Sequence, residues 1–113
     1  MQIKLSSRGT TLIVIINGEL DHHYVEYLKR KVDAELIKSS VKNVIFDFTK
    51  VNFMDSSGIG VIMGRYKNIQ MLSGKVAIVN PNSQVKRIFE MSGILRIIPV
   101  YDNMDNAMEL MTS

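Results

Sequence analysis

An α/β fold with largely parallel strands is predicted by three features of the sequence. Short β-branched runs alternate with amphipathic stretches of helical period. Gly, Asn and Pro punctuate the joints between them. No linker, internal repeat or low-complexity segment interrupts the order. Strands that alternate with helices are joined by crossovers, and crossover-linked strands lie parallel.

Thr11-Leu12-Ile13-Val14-Ile15-Ile16 is continuously apolar after its first residue, so it reads as a strand buried on both faces, ended by the turn dipeptide Asn17-Gly18. Ile3 to Ser7 forms an earlier strand, joined to it as a hairpin through Arg8-Gly9-Thr10. Asp21 is a suitable N-cap for a first helix to about Lys38, along which Tyr24, Leu28, Val32 and Leu36 recur every fourth residue. Val44 to Phe48 is the next strand, followed by a loop. The second helix is expected over Ser56 to Leu72, with Ile59, Ile62, Met63, Tyr66 and Ile69 inward and Arg65, Lys67 and Asn68 outward. Ser73-Gly74 stops it, and Val76 to Val79 makes a third core strand before Pro81. Asn82 or Ser83 caps a short helix ending at Gly93; Ile97 to Val100 is an expected edge strand, where Pro99 is tolerated. Asp102 then caps a last helix with Ala107, Met108 and Met111 inward.

The 113 residues fit one domain, residues 1–113. With 46% hydrophobic and 22% charged residues, the chain can bury one core without staples. The absence of cysteine excludes disulfides, Cys-based zinc sites and a cysteine nucleophile. The formal charge of +3 comes from lysines and arginines scattered among acids, and Lys29-Arg30-Lys31 and Lys86-Arg87 read as solvated helix faces. Four Phe, four Tyr and no Trp give few stacking platforms, so nucleic-acid binding is not expected. Met1-Gln2-Ile3-Lys4 lacks the pattern of a leader peptide, and no apolar run is long enough to span a bilayer. A cytoplasmic protein without membrane contact is therefore expected.

The chemistry concentrates in Phe53-Met54-Asp55-Ser56-Ser57-Gly58-Ile59-Gly60, where a strand and loop feed into the second helix. Asp55 is placed as N-cap, with Ser56, Ser57 and Gly58 in the first turn. That end of a helix carries unpaired N–H groups and the positive end of the dipole, which suit a phosphate on either serine. Gly58 and Gly60 each weaken a helix by about 1 kcal/mol relative to Ala, so they point to close approach of another molecule's backbone. On spacing alone, a capped helix start with small residues packed on a strand is the favoured explanation of the segment. No Gly-Lys-Ser/Thr follows for a P-loop, and Gly58-Ile59-Gly60 is too short for a dinucleotide fingerprint. The serines lack the preceding glycine of a nucleophile elbow, and both histidines, His22 and His23, sit together elsewhere, so acyl transfer is disfavoured and no enzyme activity is expected. Two histidines without further ligands make no metal site, and no cofactor is expected. Asp21 and Asp55 both follow strands and open helices. If those strands are neighbours, the two aspartates share one sheet edge, and Asp21 can pair with a partner's arginine.

Met54 to Gly60, continuing through Val61-Ile62-Met63-Gly64-Arg65-Tyr66, resembles the phosphorylation segment of the anti-sigma factor antagonists. These belong to the STAS domains, named for sulfate transporters and anti-sigma antagonists. Gly18-Glu19-Leu20-Asp21-His22-His23 and Arg87-Ile88-Phe89-Glu90-Met91-Ser92-Gly93 resemble two further segments of the sporulation members, those antagonising the anti-sigma F factor. The resemblance implies a STAS-like mixed β-sheet of four to five strands with about four α-helices packed on it. It also implies a cycle. The unphosphorylated chain binds an anti-sigma factor that is a dimeric serine kinase, and sigma factor is released. Phosphorylation of Ser56, with Ser57 as the fallback, ends binding, and a metal-dependent serine phosphatase restores it. The expected partner face comprises Asp21, Met54, Asp55, Ser56, Ser57, Gly58 and Gly60, bordered by Arg65. The competing reading is a small-ligand domain that holds a nucleotide or anion at Asp55 to Gly58.

Overall fold

The structure, a computed structural model, describes residues 1–112. The elements run β1 (Gln2–Arg8), β2 (Thr11–Leu20), α1 (Val25–Lys38), β3 (Asn43–Met54), α2 (Ser57–Met71), β4 (Val76–Val79), α3 (Ser83–Ser92), a 3-10 turn at Ile94–Arg96, β5 (Val100–Tyr101) and α4 (Met104–Thr112). The five strands lie in the order β1-β2-β3-β4-β5. The β1–β2 hairpin is antiparallel and the other pairings are parallel, which makes the sheet mixed.

The alternation of side chains along the strands divides the core in two. Leu12, Val14 and Ile16 of β2, with Val44, Phe46 and Phe48 of β3, face Leu28 and Val32 of α1, Ile62 and Ile69 of α2, and Val85 and Phe89 of α3. Ile45, Ala77 and Val79 point the other way, onto Ala107 and Met111 of α4. Each fully buried Val, Ile, Leu or Phe contributes about 1.5–3 kcal/mol of transfer free energy, so the larger layer anchors the three helices that surround the site. Phe48 and Phe89 meet edge to face at 5.3 Å and fix α3 beside the last part of β3.

Five expected boundaries move. Asn17-Gly18 does not end β2: the strand continues to Leu20 through register shifts beside β3, where Gly18 takes φ +113°. A glycine that supplies positive φ inside a strand makes a bulge as readily as a turn. β3 extends to Met54, because pairing with the lengthened β2 holds the segment expected to be a loop. Asp21 is not the N-cap of α1. Tyr24 flanks that helix, and the Asp21 carboxylate accepts the His23 N–H at 2.9 Å in a turn before it. Pro99 precedes the edge strand rather than lying within it, so the pairing shifts to Val100–Tyr101. At α4, Asn103 rather than Asp102 accepts the Asn106 N–H, at 2.9 Å. The expected caps of α3 hold: the Asn82 carboxamide accepts the Val85 N–H at 2.9 Å, and Gly93 closes the helix in the left-handed region.

Candidate functional site

The ends of β2 and β3 place Asp21 and Asp55 on one edge of the sheet. Leu20 pairs with Met54 in the parallel register, and the Asp55 N–H donates to the Leu20 carbonyl at 3.3 Å. One Asp55 carboxylate oxygen accepts the Ser57 N–H at 2.9 Å and also the Ser57 hydroxyl. The other accepts the His22 N–H at 3.1 Å and lies 3.5 Å from the His22 ring nitrogen. Asp55 therefore ties the start of α1 to the start of α2. Ser56, which flanks α2, makes no side-chain cap; the capping carboxylate sits one residue earlier.

The Ser57 hydroxyl, before any other group, holds the Asp55 carboxyl below its usual range, helped by the N–H groups of Ser57 and His22 and opposed by partial burial. Asp55 is thus ionised at neutral pH. Because its folded-state pKa lies below the ordinary 3.8, its contribution to stability is complete above that value and is lost as pH falls through the lower folded one. Asp55→Ala is expected to lose about 0.5–2 kcal/mol at pH 7, the usual cost of a missing cap. Thermal unfolding measured against pH should show the difference from wild type shrinking below the ordinary carboxylate pKa.

The two serines differ. Ser57 is half-buried and its hydroxyl is spent on Asp55. Ser56 is exposed, and among the described residues neither its hydroxyl nor its N–H has a hydrogen-bond partner. The helix start offers a phosphate fewer donors than its position suggests. The Ser57 N–H bonds the Asp55 carboxylate, while the Gly58 and Ile59 N–H groups bond the carbonyls of Asp55 and Ser56 at 3.1 Å each.

Three expected partner-face residues lie inside instead. Met54 is fully buried. Gly58 faces it, and a Cβ on Gly58 would sit 2.5 Å from the Met54 sulfur, so this glycine serves internal packing. Gly60 has open space where a Cβ would go. Arg65, expected outward, is 6% exposed, and its Nε lies 3.0 Å from an Asp33 carboxylate oxygen on α1. A guanidinium accepts such burial when a carboxylate neutralises it, so Arg65 joins α2 to α1. It also lines a groove of about 260 Å³ with Val25, Glu26, Lys29, Ser57, Gly60 and Val61.

His22 and His23 stand in the turn before α1 with ring centroids 4.0 Å apart, closer than neighbours on a helix would be. Among the described residues no group of His, Asp and Glu is placed to hold a metal ion, and no helix is long and apolar enough to cross a membrane. Two aromatic side chains are exposed at this edge, Tyr24, expected at the head of the apolar row of the first helix, and Phe53, 42% exposed, before Met54. Phe53 lies in the part of β3 beyond Phe48, where the strand was expected to have ended and where Val51 and Met54 are buried while Asn52 and Phe53 are exposed.

The STAS domain profile matches residues 2–107. The chain belongs to the STAS-domain family. An anti-sigma F factor antagonist of Paenibacillus polymyxa is 38% identical over 108 residues, covering 96% of this chain and 92% of that one. Among solved structures, the unphosphorylated anti-sigma factor antagonist SpoIIAA superposes with a TM-score of 0.84 at 28% identity, covering 96% of this chain and 94% of that one. The phosphorylated form of the Bacillus cell fate determinant SpoIIAA superposes with a TM-score of 0.75 at 28% identity, covering 96% and 97%. In this STAS domain, the expected mixed sheet of four to five strands is met by five, and the sporulation likeness read from the sequence stands.

Proposed function

We propose that this STAS domain is a phosphorylation-controlled antagonist of an anti-sigma factor. Its unphosphorylated form binds an anti-sigma factor that is a dimeric serine kinase and frees the sigma factor. Phosphorylation of Ser56 by that kinase ends the interaction, and a metal-dependent serine phosphatase reverses it. The chain acts as a substrate and ligand rather than as an enzyme, in the cytoplasm where sigma factors meet RNA polymerase.

One observation carries this reading. Ser56 is exposed with its hydroxyl unengaged, directly after an ionised carboxylate whose three hydrogen bonds come from Ser57 and His22. A kinase needs a hydroxyl free to attack a γ-phosphate, and Ser56 meets that need better than Ser57. The likeness to both the unphosphorylated and the phosphorylated SpoIIAA supports a modification that leaves the fold in place. The partner face then consists of Asp21, Asp55, Ser56, Ser57 and Gly60, with Met54, Gly58 and Arg65 beneath it.

The small-ligand reading finds less support. The groove beside Ser57 has about 260 Å³ and is lined by charges of both signs, Glu26 against Lys29 and Arg65, whereas drug-sized ligand sites typically hold about 300–1,000 Å³. Incubation with the cognate anti-sigma kinase and ATP, read by intact mass, tests the proposal. Wild type should gain one phosphate and Ser56→Ala none. Undiminished transfer to Ser56→Ala would move the switch to another hydroxyl, Ser57 first.

A further inference from the structure

We propose that Gln84 is a positioning residue that sets how Asp55 and Ser56 are presented to the kinase, an inference that rests on the phosphorylation reading above. β3 outruns its neighbour: its last pairing with β4 is Asp47 with Val79, yet the strand continues to Met54. Along that extension β2 satisfies one edge, and among the described residues no strand covers the other. The first residues of α3 cover it instead. Asn82 donates to the carbonyls of Val51 and Asn52 at 3.2 and 3.3 Å. Gln84 closes a two-way contact with Met54, its side-chain oxygen accepting the Met54 N–H at 3.1 Å and its amide donating to the Met54 carbonyl at 3.0 Å. A primary carboxamide thus pairs with Met54 as a neighbouring strand would, using its donor and acceptor together.

Met54 is the residue through which this clamp reaches the site. Its side chain is wedged beneath Gly58 at the start of α2, and its carbonyl leads directly into Asp55 and Ser56. With Gln84 in place, the backbone entering the phosphorylation segment is held from β2 on one side, through the Asp55 N–H, and from α3 on the other. Without it, both Met54 groups lose their protein partner, and the residue before Asp55 is held only by its side chain. Gln84 touches neither Ser56 nor Asp55, so its effect is one of presentation.

The test compares Gln84→Ala, Gln84→Glu and Asn82→Ala with wild type, using the full chain, the cognate anti-sigma kinase and ATP. Gln84→Glu keeps the shape but can no longer donate to the Met54 carbonyl. Asn82→Ala removes the α3 cap and the contacts at Val51 and Asn52 but leaves Met54 clamped, which makes it the control for general loosening. In Gln84→Ala, amide exchange at Met54 should quicken by about tenfold or more, as local opening becomes easier, and by less in Gln84→Glu, whose carboxylate still accepts the Met54 N–H. The kcat/KM for Ser56 phosphorylation should fall about threefold to tenfold, as expected for a misplaced reacting group. Asn82→Ala should lower the melting temperature without that kinetic loss. The proposal is overturned if phosphorylation is unchanged in the Gln84 variants, or if Asn82→Ala slows it equally. Should wild type itself accept no phosphate, the phosphorylation reading is what fails, and this inference falls with it; the exchange data would still report whether Gln84 clamps Met54.

Discussion

Ser56→Asp is expected to weaken binding to the anti-sigma kinase by at least about a hundredfold while leaving the melting temperature and the circular dichroism spectrum unchanged. The site already carries an ionised carboxylate at Asp55, with Asp21 on the same sheet edge. A second charge at position 56 finds little to offset it, because the neighbouring N–H groups of Ser57, Gly58 and Ile59 are already bonded. In the free protein water solvates the new charge at an exposed residue, and exposed substitutions of this kind usually stay within about 0.5 kcal/mol. Docking removes that water. An uncompensated ion at an interface costs several kcal/mol, and every ~1.4 kcal/mol is tenfold in affinity, so about 3–4 kcal/mol gives a loss of roughly a hundredfold to several hundredfold. A phosphate, at about −1.5 to −2 charges, should act more strongly than aspartate.

Two controls separate charge from shape in that experiment. Ser56→Asn has nearly the same volume as the aspartate variant and no charge, so calorimetric titration should place it near wild type. Raising the salt concentration shortens the Debye length from about 10 Å at 0.1 M to about 3 Å at 1 M, which screens repulsion between exposed charges but leaves desolvation largely intact. Partial recovery of the Asp variant in high salt would therefore measure the share that is repulsion. A Ser56→Asp variant that binds as tightly as wild type would rule out the electrostatic mechanism.

Which parts of this molecule were legible in the sequence follows from where the determining forces lie. Val76 to Val79, Asn82, Gly93 and the body of α2 were readable, because propensity and capping are local and act within a few residues. The shared edge of Asp21 and Asp55 was readable from topology, given that each follows a strand and precedes a helix. The reach of β3 was not, since Thr49 to Asn52 lack an apolar pattern and owe their extension to a bulged β2 far away in the chain. Arg65 failed for a related reason. Its charge suggested solvent, but Asp33, on a different helix, neutralises it. A signal did exist: positions 58, 61, 62, 65 and 69 follow helical spacing, and all of them are buried. Gln84 carried no signal at all, because a glutamine in the first turn of a helix is unremarkable until β3 is seen to outrun β4.

Gly58→Ala and Gly60→Ala, two residues apart on α2, should have opposite consequences. At Gly58 an added methyl would stand 2.5 Å from the sulfur and 2.7 Å from the γ-carbon of Met54, with Leu20 at 3.4 Å. Met54 is fully buried and held by its backbone as well, so it can yield only by disturbing its neighbours. Overpacking of this kind costs about 1–3 kcal/mol, only partly offset by the ~1 kcal/mol that Ala gains over Gly in a helix. Urea unfolding should therefore show Gly58→Ala destabilised, and Gly58→Val, whose branched side chain needs more room, destabilised further. At Gly60 nothing lies within 4 Å of the added carbon, so the helix preference acts alone and the protein should be stabilised by up to about 1 kcal/mol. If Gly60 is kept for close approach of the anti-sigma factor, that stabilised variant should bind it more weakly, by about tenfold for each ~1.4 kcal/mol of lost fit. Tight binding by Gly60→Ala would show that the partner's backbone does not come within reach of this position, and would move the interface toward Asp21 and the turn before α1.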